Sequence, residues 1–173
     1  NRNYVRTQAA GQRLLNLFSY SGGFSMYAGL GGASLVASLD ISKGAIETAG
    51  QNWKLNGLPE GKHVGIAADV FDYLQNEKES WDHIIVDPPS MTHSEKEKQR
   101  AKSKYIEVFA AAARRVRRQG QLSLSSCSSH ISFLDFDEIV VEALSEARRT
   151  GQILRYSGQG EDHPYPQACP EMR

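Results

Sequence analysis

Short apolar runs and longer amphipathic stretches alternate along the chain. The short runs are rich in Leu, Ile and Val and are followed by Gly, Pro or acidic residues, a pattern typical of strands buried on both faces of a parallel sheet. Six strands are predicted from it, at residues 13–18, 34–39, 63–68, 82–86, 122–127 and 152–156.

The stretches between these runs place apolar residues at helical spacing. Helices are predicted from the turn at 19–23 to about residue 30, and over 43–55, 70–74, 95–118 and 133–147. In the longest of them the apolar stripe is interpreted as core, and it consists of Tyr105, Val108, Phe109, Ala112 and Val116. Strands and helices alternate throughout, which predicts an α/β fold with a doubly wound, mostly parallel, Rossmann-like sheet and helices on both faces.

Length and composition fit one domain that spans residues 1–173. The 173 residues suffice for a sizeable core, the hydrophobic content of 40% is ordinary, and no apolar run approaches the length of a membrane span. Cys127 and Cys169 lie far apart and indicate neither a disulfide framework nor a metal site, so a reducing cytoplasm is the expected location. The chain begins at Asn1 rather than at Met, and we expect a fragment of a longer protein.

Charge is distributed unevenly, although the net charge is zero. Residues 95–118 carry nine Lys or Arg and three Glu, a local charge of +6. Such a stretch is either a solvated helix face or a patch that contacts nucleic-acid phosphates. Its first half follows the fourth strand directly, whereas the segment 114–118 is expected at the opposite edge of the sheet.

Polar groups follow the carboxyl ends of five predicted strands. They are the turn Ser-Tyr-Ser-Gly-Gly at 19–23, Asp40, Asp69, the Asp-Pro-Pro turn at 87–89, and Cys127. Those ends share one edge of a parallel sheet, which is where ligands bind. The glycines let the backbone approach a ligand, and the helix that follows them offers free N–H groups. The absence of the spacing G-x-G-x-x-G disfavours a dehydrogenase.

Two of the acids have alternative interpretations. Asp40 is suited to accept hydrogen bonds from ribose hydroxyls, but Asp40 or Ser42 could instead cap the next helix. The two prolines hold Asp87 in a stiff turn at the end of a buried strand, and the same residues are also common as a plain strand stop. The order of these groups along the chain fits an adenosine-type ligand with a reaction site beside Asp87.

The residues at these strand ends also carry a family resemblance. Residues 16–25, Asn-Leu-Phe-Ser-Tyr-Ser-Gly-Gly-Phe-Ser, resemble the first motif of class I S-adenosylmethionine-dependent methyltransferases. Together with the Asp-Pro-Pro turn and Ser-Cys-Ser at 126–128, they resemble more narrowly the bacterial family that methylates carbon 5 of cytosine in 23S ribosomal RNA of the large subunit. Asn1-Arg2 and Asp162-His163-Pro164 are similar to further family motifs. The family also has an upstream RNA-binding domain and a final strand, both expected to be missing here.

The resemblance implies S-adenosylmethionine as cofactor and RNA, 23S ribosomal RNA in particular, as partner. Its implied cofactor-binding residues are Phe18, Ser19, Tyr20, Ser21, Gly22, Gly23, Asp40, Ile41, Ser42, Asp69, Val70, Asp87 and Pro88. Cys127 and Asp87 are the implied catalytic residues, and no metal is implied.

The implied chemistry is covalent catalysis by the thiolate of Cys127. The thiolate would add to carbon 6 of a cytosine that has left its stack, and carbon 5 would then accept the methyl group. Asp87 would hold the N3 and amine edge of the base. A lone Cys is otherwise most often a small core residue. The sequence names no base for the carbon-5 proton, since His130 and His163 are more typical of surface positions.

Three points stay open in the sequence. After the Asp-Pro-Pro turn the family usually has a basic or polar residue and then an aromatic one, whereas this chain has Ser90-Met91. One alternative function is methylation of a guanine or another RNA nitrogen held by Asp87, and a second is a non-catalytic module that binds the cofactor or RNA. The modified nucleotide and the oligomeric state, with a homodimer among the options, are not specified.

Overall fold

In the computed structural model, which describes residues 1–76, 78–92 and 94–158, strands and helices alternate along the chain. The helices are α1 (Arg2–Gln8), α2 (Gly23–Leu30), α3 (Lys43–Leu55), α4 (Val70–Asn76), α5 (Lys98–Arg115) and α6 (Phe133–Glu146). The strands are β1 (Arg13–Leu17), β2 (Leu35–Asp40), β3 (His63–Ala67), β4 (Trp81–Val86) and β5 (Val116–Leu124). Short 3₁₀ turns at Glu60–Lys62 and Glu95–Glu97 precede β3 and α5.

The strands form a parallel sheet in the order β3-β2-β1-β4-β5. The first strand in the chain lies in the centre, and the strand order reverses between β1 and β4. Ligands of open α/β sheets bind outside the carboxyl ends of the strands at this reversal. The predicted α/β fold is therefore confirmed, and its ligand edge lies between the ends of β1 and β4.

Each face of the sheet buries its own hydrophobic cluster, because side chains alternate along a strand. Leu14 and Ile85 point to the face that α1, α2 and α3 cover, where they pack with Val5, Met26 and Trp53. Leu15 and Ile84 point to the other face, which α4, α5 and α6 cover. In the part of the chain that the structure describes, no helix is both long and apolar enough to cross a membrane.

The helix predicted over 95–118 was too long, and the strand predicted over 122–127 was misplaced. The helix ends at Arg115, and β5 begins at Val116 because that residue pairs with Trp81 of β4. The register then shifts, so that Gln121 pairs with His83. The polar residues that lie between these two pairs resemble the end of a basic helix, but they form an irregularity within a strand. The strand ends at Leu124, which leaves 125–130 as a loop.

The sixth strand, predicted over 152–156, was wrong. Residues 151–158 have no regular structure, and Ile153 and Leu154 remain 65% and 67% exposed. A strand requires a neighbour that pairs with its backbone groups, and the described part of the chain provides none for this segment. Tyr156 instead packs its ring against Phe133 at a centroid distance of 4.9 Å.

Candidate active site

The turn between β1 and α2 has an unusual backbone that β2 holds in place. Phe18 and Tyr20 adopt left-handed φ angles of 54° and 46°, which are rare for residues other than Gly and cost on the order of 1–3 kcal/mol each. The N–H of Ser19 donates to the carbonyl of Leu39 at 2.9 Å, and the N–H of Tyr20 donates to Oδ2 of Asp40 at 2.9 Å. Strain of this kind often marks a ligand site.

The two glycines of this turn differ in how tightly they are packed. Gly22 has φ of 83°, and a Cβ there would lie 2.9 Å from the Cβ of Ala49 on α3. A Cβ on Gly23 would lie 3.1 Å from Nε of Arg2. Gly22 is the N-cap of α2, and no side chain caps this helix. The first N–H groups of α2 therefore have no side-chain acceptor and are suited to bind a negatively charged group.

Asp40 and Ser42, which the sequence left as alternative caps, have different roles. Ser42 is the N-cap of α3, where its Oγ accepts from the N–H of Ala45 at 3.3 Å. Asp40 holds the loops instead: its Oδ1 accepts from the N–H of Ser42 and its Oδ2 from the N–H of Tyr20, both at 2.9 Å. A carboxylate has about four acceptor positions, so Asp40 retains capacity for hydroxyl groups. Ile41 beside it is 73% exposed and offers an apolar surface.

Asp69 and Val70 serve the start of α4. Oδ1 of Asp69 accepts from the N–H groups of Phe71 at 2.8 Å and Asp72 at 3.1 Å, which is the geometry of an N-cap. The side chain of Val70 is 3% exposed and belongs to the core. Of this pair, only Asp69 has a side chain outside the core, and it lies at the carboxyl end of β3.

Asp87 is a half-buried carboxyl group at the end of β4, next to the reversal of strand order. Burial raises the pKa of this carboxyl, while a hydrogen bond from the side chain of Ser125 and the positive charge of Arg2 oppose that shift. Pro88 is buried behind it, and Pro89 is exposed. Burial therefore favours the protonated form of Asp87 relative to that of an exposed aspartate.

Cys127 lies against the Asp-Pro-Pro turn, in the loop after β5. Its Sγ is 3.6 Å from the carbonyl oxygen of Pro88. The side chain reaches solvent, but its neighbours remove part of its hydration. This desolvation and the negative charge of Asp87 raise the pKa of the thiol, while a backbone hydrogen bond opposes the shift. The two predicted catalytic residues are thus close enough to influence each other, and the free protein favours the thiol over the thiolate.

The sequence interpretation missed two residues that act on Asp87. Ser125 follows β5 directly, and its backbone N–H also donates to the carbonyl of Val86 at 3.0 Å. Arg2, on α1, lies beside Gly23 and contributes its charge to the same carboxyl. The resemblance of Asn1-Arg2 to a family motif was the available signal for Arg2. The segment 162–164, with His163, and Cys169 lie outside the described residues, and His130 lies in the turn before α6.

Much of the basic stretch 95–118 is used within the fold. Lys98 and Lys102 pair with Asp135 at 2.8 and 3.4 Å, and Arg117 pairs with Asp82 at 2.8 Å. Burial alone would raise the pKa of Asp135, but hydrogen bonds from Lys98, Ser132 and Lys102 hold it well below its usual range. Arg114 and Arg115 donate to backbone carbonyls of α6 and α4. Of the remaining members, Lys96, Arg100, Lys104 and Arg118 are exposed.

Comparison with known proteins identifies the family to which the chain belongs. A family model described as S-adenosylmethionine-dependent methyltransferase matches residues 1–119. The chain is 40% identical over 166 residues to a ribosomal RNA large subunit methyltransferase of Deinococcus radiodurans, covering 94% of this chain and 41% of that protein. It is 37% identical over 174 residues to ribosomal RNA large subunit methyltransferase I of Aeromonas salmonicida, covering 99% and 44%. The chain thus spans about two fifths of the length of these curated relatives.

A solved structure has the same fold. It is that of a Streptococcus mutans protein described as a candidate S-adenosylmethionine-dependent methyltransferase. The two superpose with a TM-score of 0.82 at 25% identity, over 93% of this chain and 42% of that one.

Proposed function

The chain belongs to the family of S-adenosylmethionine-dependent methyltransferases, and we propose that it transfers a methyl group to carbon 5 of a cytosine in 23S ribosomal RNA through a covalent bond between Cys127 and the base. The observation that carries this proposal is the contact of 3.6 Å between Sγ of Cys127 and the Pro88 carbonyl. This contact holds the thiol of Cys127 against the turn that carries Asp87, whose carboxyl group can bind the edge of a base. The names of the relatives, ribosomal RNA large subunit methyltransferases, support the substrate.

S-adenosylmethionine is the cofactor of the family, as predicted, and the residues at the ligand edge fit it. The uncapped start of α2 suits its carboxylate, Asp40 has acceptor capacity for its ribose hydroxyls, and exposed Ile41 offers a surface for its adenine. When bound, it supplies a methyl group on a positively charged sulfur. The residues proposed to hold it are those predicted from the sequence, namely Phe18 to Gly23, Asp40, Ile41, Ser42, Asp69, Val70, Asp87 and Pro88.

Asp87 is proposed to bind the edge of the flipped cytosine. A carboxyl whose pKa is raised by burial can share a proton with N3 of the base and accept a hydrogen bond from the exocyclic amine. Addition of a thiolate to carbon 6 breaks the double bond between carbons 5 and 6 and moves electron density towards N3. A proton at N3 stabilises that adduct, and carbon 5 becomes nucleophilic.

Asp87 is also proposed to influence the charge state of Cys127, in addition to the larger effect of desolvation. Its negative charge is one cause of the raised pKa of the thiol. When the base is bound, the proton that the Cys127 thiol loses can be taken up between Asp87 and N3; this removes the charge of Asp87 and leaves the thiolate. The thiol is therefore expected to be unreactive in the free protein and activated when the target base is present. After methyl transfer, the carbon-5 proton is lost to water, which restores the double bond and expels the thiolate; the proton held between Asp87 and N3 then returns to the thiolate.

The exposed cations in the first half of the basic stretch are proposed to bind RNA phosphates. Lys96 lies in the 3₁₀ turn just after the loop that follows the Asp-Pro-Pro turn, and Arg100 and Lys104 follow on α5. Phosphate contacts of this kind provide sequence-independent affinity. Lys98 and Lys102 are paired with acids of α6 and are assigned to stability instead.

The proposal is tested by the chemical identity of the product. The full protein is incubated with 23S ribosomal RNA and isotope-labelled cofactor, and the RNA is digested to nucleosides for mass spectrometry. We expect labelled 5-methylcytidine, and no label above background when Cys127 is replaced by Ala; Cys169→Ala is the matched control and retains turnover. A label on a nitrogen of guanine, or full turnover by Cys127→Ala, would contradict the covalent mechanism.

A further inference from the structure

A buried hydroxyl lies behind the loop that carries Cys127. Tyr105 of α5 is 0% exposed, and its ring fits the apolar stripe that the sequence predicted. Its hydroxyl accepts a hydrogen bond from Oγ of Ser126 at 3.0 Å and lies 2.9 Å from Oγ of Ser128. These two serines stand on either side of Cys127, so one tyrosine hydroxyl contacts both neighbours of the proposed nucleophile.

Ser128 connects this group to the loop that follows β4. Its Oγ accepts from the backbone N–H of Met91 at 3.1 Å and lies 3.2 Å from Oγ of Ser90. Oγ of Ser90 donates to the carbonyl of Thr92 at 2.8 Å. Ser128 and Thr92 are 5% and 2% exposed. The Asp-Pro-Pro turn and the Cys127 loop are therefore joined by buried hydroxyl groups.

The hydrogen atoms of these hydroxyls can be arranged in only one way. The hydroxyl of Ser90 donates its proton to the Thr92 carbonyl, so in the hydrogen bond between Ser90 and Ser128 the donor must be Ser128. Because the hydroxyl proton of Ser128 is already donated to Ser90, the Tyr105 hydroxyl must donate to Ser128. The hydroxyl of Ser126 in turn donates to Tyr105. The result is a continuous chain that runs from Ser126 through Tyr105, Ser128 and Ser90 to a carbonyl, in which each hydroxyl donates once.

We propose that Tyr105 is a positioning residue, whose hydroxyl fixes the Cys127 loop against the Asp-Pro-Pro turn so that the thiol and Asp87 act on the same base. This rests on the proposed function. This hydrogen-bond chain also gives a role to Ser90, because its short hydroxyl side chain reaches both Ser128 and the Thr92 carbonyl. The hydrophobic core does not need the Tyr105 oxygen, because phenylalanine would fill the same space.

The first test compares Tyr105→Phe with Ser103→Ala. The first variant keeps the ring and removes the hydroxyl. The second removes an exposed hydroxyl from the same helix, where Ser103 donates to the carbonyl of Gln99. We expect kcat for methyl transfer by the full protein to fall about 10- to 100-fold in Tyr105→Phe, as for a small misplacement of reacting groups. KM for RNA and the cofactor Kd should stay within about twofold, and Ser103→Ala should match the unsubstituted protein.

A second readout needs no RNA and follows Cys127 itself. The rate at which iodoacetamide alkylates Cys127 is measured against pH, with the modified peptide quantified by mass spectrometry. Release of the loop moves the thiol away from Asp87, so the midpoint of the profile should move to lower pH in Tyr105→Phe and in Ser126→Ala but not in Ser103→Ala. If the unsubstituted protein fails to methylate 23S RNA, the proposed function fails, whereas this profile still decides whether Tyr105 positions Cys127.

A double-mutant cycle tests whether the hydroxyls act as one unit. Ser128→Ala should lower kcat by a similar factor, and Tyr105→Phe combined with Ser128→Ala should cost little more than either change alone. Ser126→Ala replaces Tyr105→Phe in the cycle if the latter does not fold, as judged by circular dichroism and thermal melting. Unchanged kcat together with an unchanged alkylation profile in the folded variants, or fully additive effects, would overturn the proposal.

Discussion

His83, in the middle of β4, provides a quantitative test of the fold at the position where β4 and β5 pair. Its side chain is 0% exposed, and Nε2 forms a hydrogen bond of 2.8 Å with Oγ of Ser123, while Nδ1 has no partner among the described residues. Burial lowers the pKa of His83 to about 4. The folded protein therefore keeps this imidazole neutral at pH values where the unfolded chain binds a proton.

The sign of the effect follows from this difference in proton binding. Below about pH 6.5 the unfolded chain takes up a proton at His83, and the folded protein does so only near pH 4. The free energy of unfolding must then fall as the pH falls through this window. With about 1.4 kcal/mol for each pH unit between the two pKa values, the loss at pH 4 and below is roughly 3 kcal/mol.

Urea denaturation at a series of pH values measures this loss. We expect His83→Gln, which keeps an amide near Ser123, to have a shallower pH dependence than the unsubstituted protein between pH 6.5 and pH 4. The difference should grow to roughly 3 kcal/mol. Between pH 7 and pH 8 the two curves should run parallel, because both side chains are neutral there. If the two proteins lose stability equally across the acidic window, His83 is not buried as a neutral group and the β4–β5 pairing is wrong.

Three further substitutions test the cofactor site, the packing of the 19–23 turn and the RNA interface. Asp40→Ala removes the acceptor of two backbone N–H groups and should weaken cofactor binding about 10-fold or more by calorimetry. Gly22→Ala places a Cβ 2.9 Å from that of Ala49, at φ of 83°, and should lower the free energy of unfolding by about 1–3 kcal/mol in urea titrations. Lys96→Ala should reduce the slope of RNA affinity against salt by about one, while Arg118→Ala, at the opposite edge, should leave it unchanged; equal slopes would remove Lys96 from the RNA interface.

The site was more predictable from the sequence than the boundaries of the last elements. The apolar runs and the residues after them were enough to bring the 19–23 turn, Asp40 and Asp87 to one edge, since parallel strands share a direction. The start of β5 was not predictable, because its polar residues resemble a helix end and only the pairing of Val116 with Trp81 makes them a strand. The 152–156 segment has the composition of a strand but no neighbour within the described residues.

The contacts between loops were not predictable either. Tyr105 fits a helical apolar stripe, and nothing in the sequence separates a core ring from a ring whose hydroxyl bonds Ser126 and Ser128. The effect of Arg2 on Asp87 likewise depends on α1 packing beside Gly23. Such roles depend on distances between segments far apart in sequence, which periodicity does not encode.

The most direct test of the central claim is to trap the bond between Cys127 and the base. In RNA containing 5-fluorocytidine, fluorine replaces the carbon-5 proton, so the thiolate cannot be expelled after methyl transfer. The account predicts a stable complex of the full protein with such RNA that survives denaturing electrophoresis, maps by mass spectrometry to Cys127, requires the cofactor and is absent from Cys127→Ala. Methylation of unmodified RNA without any trapped complex, or a complex that maps to another residue, would contradict covalent catalysis by Cys127.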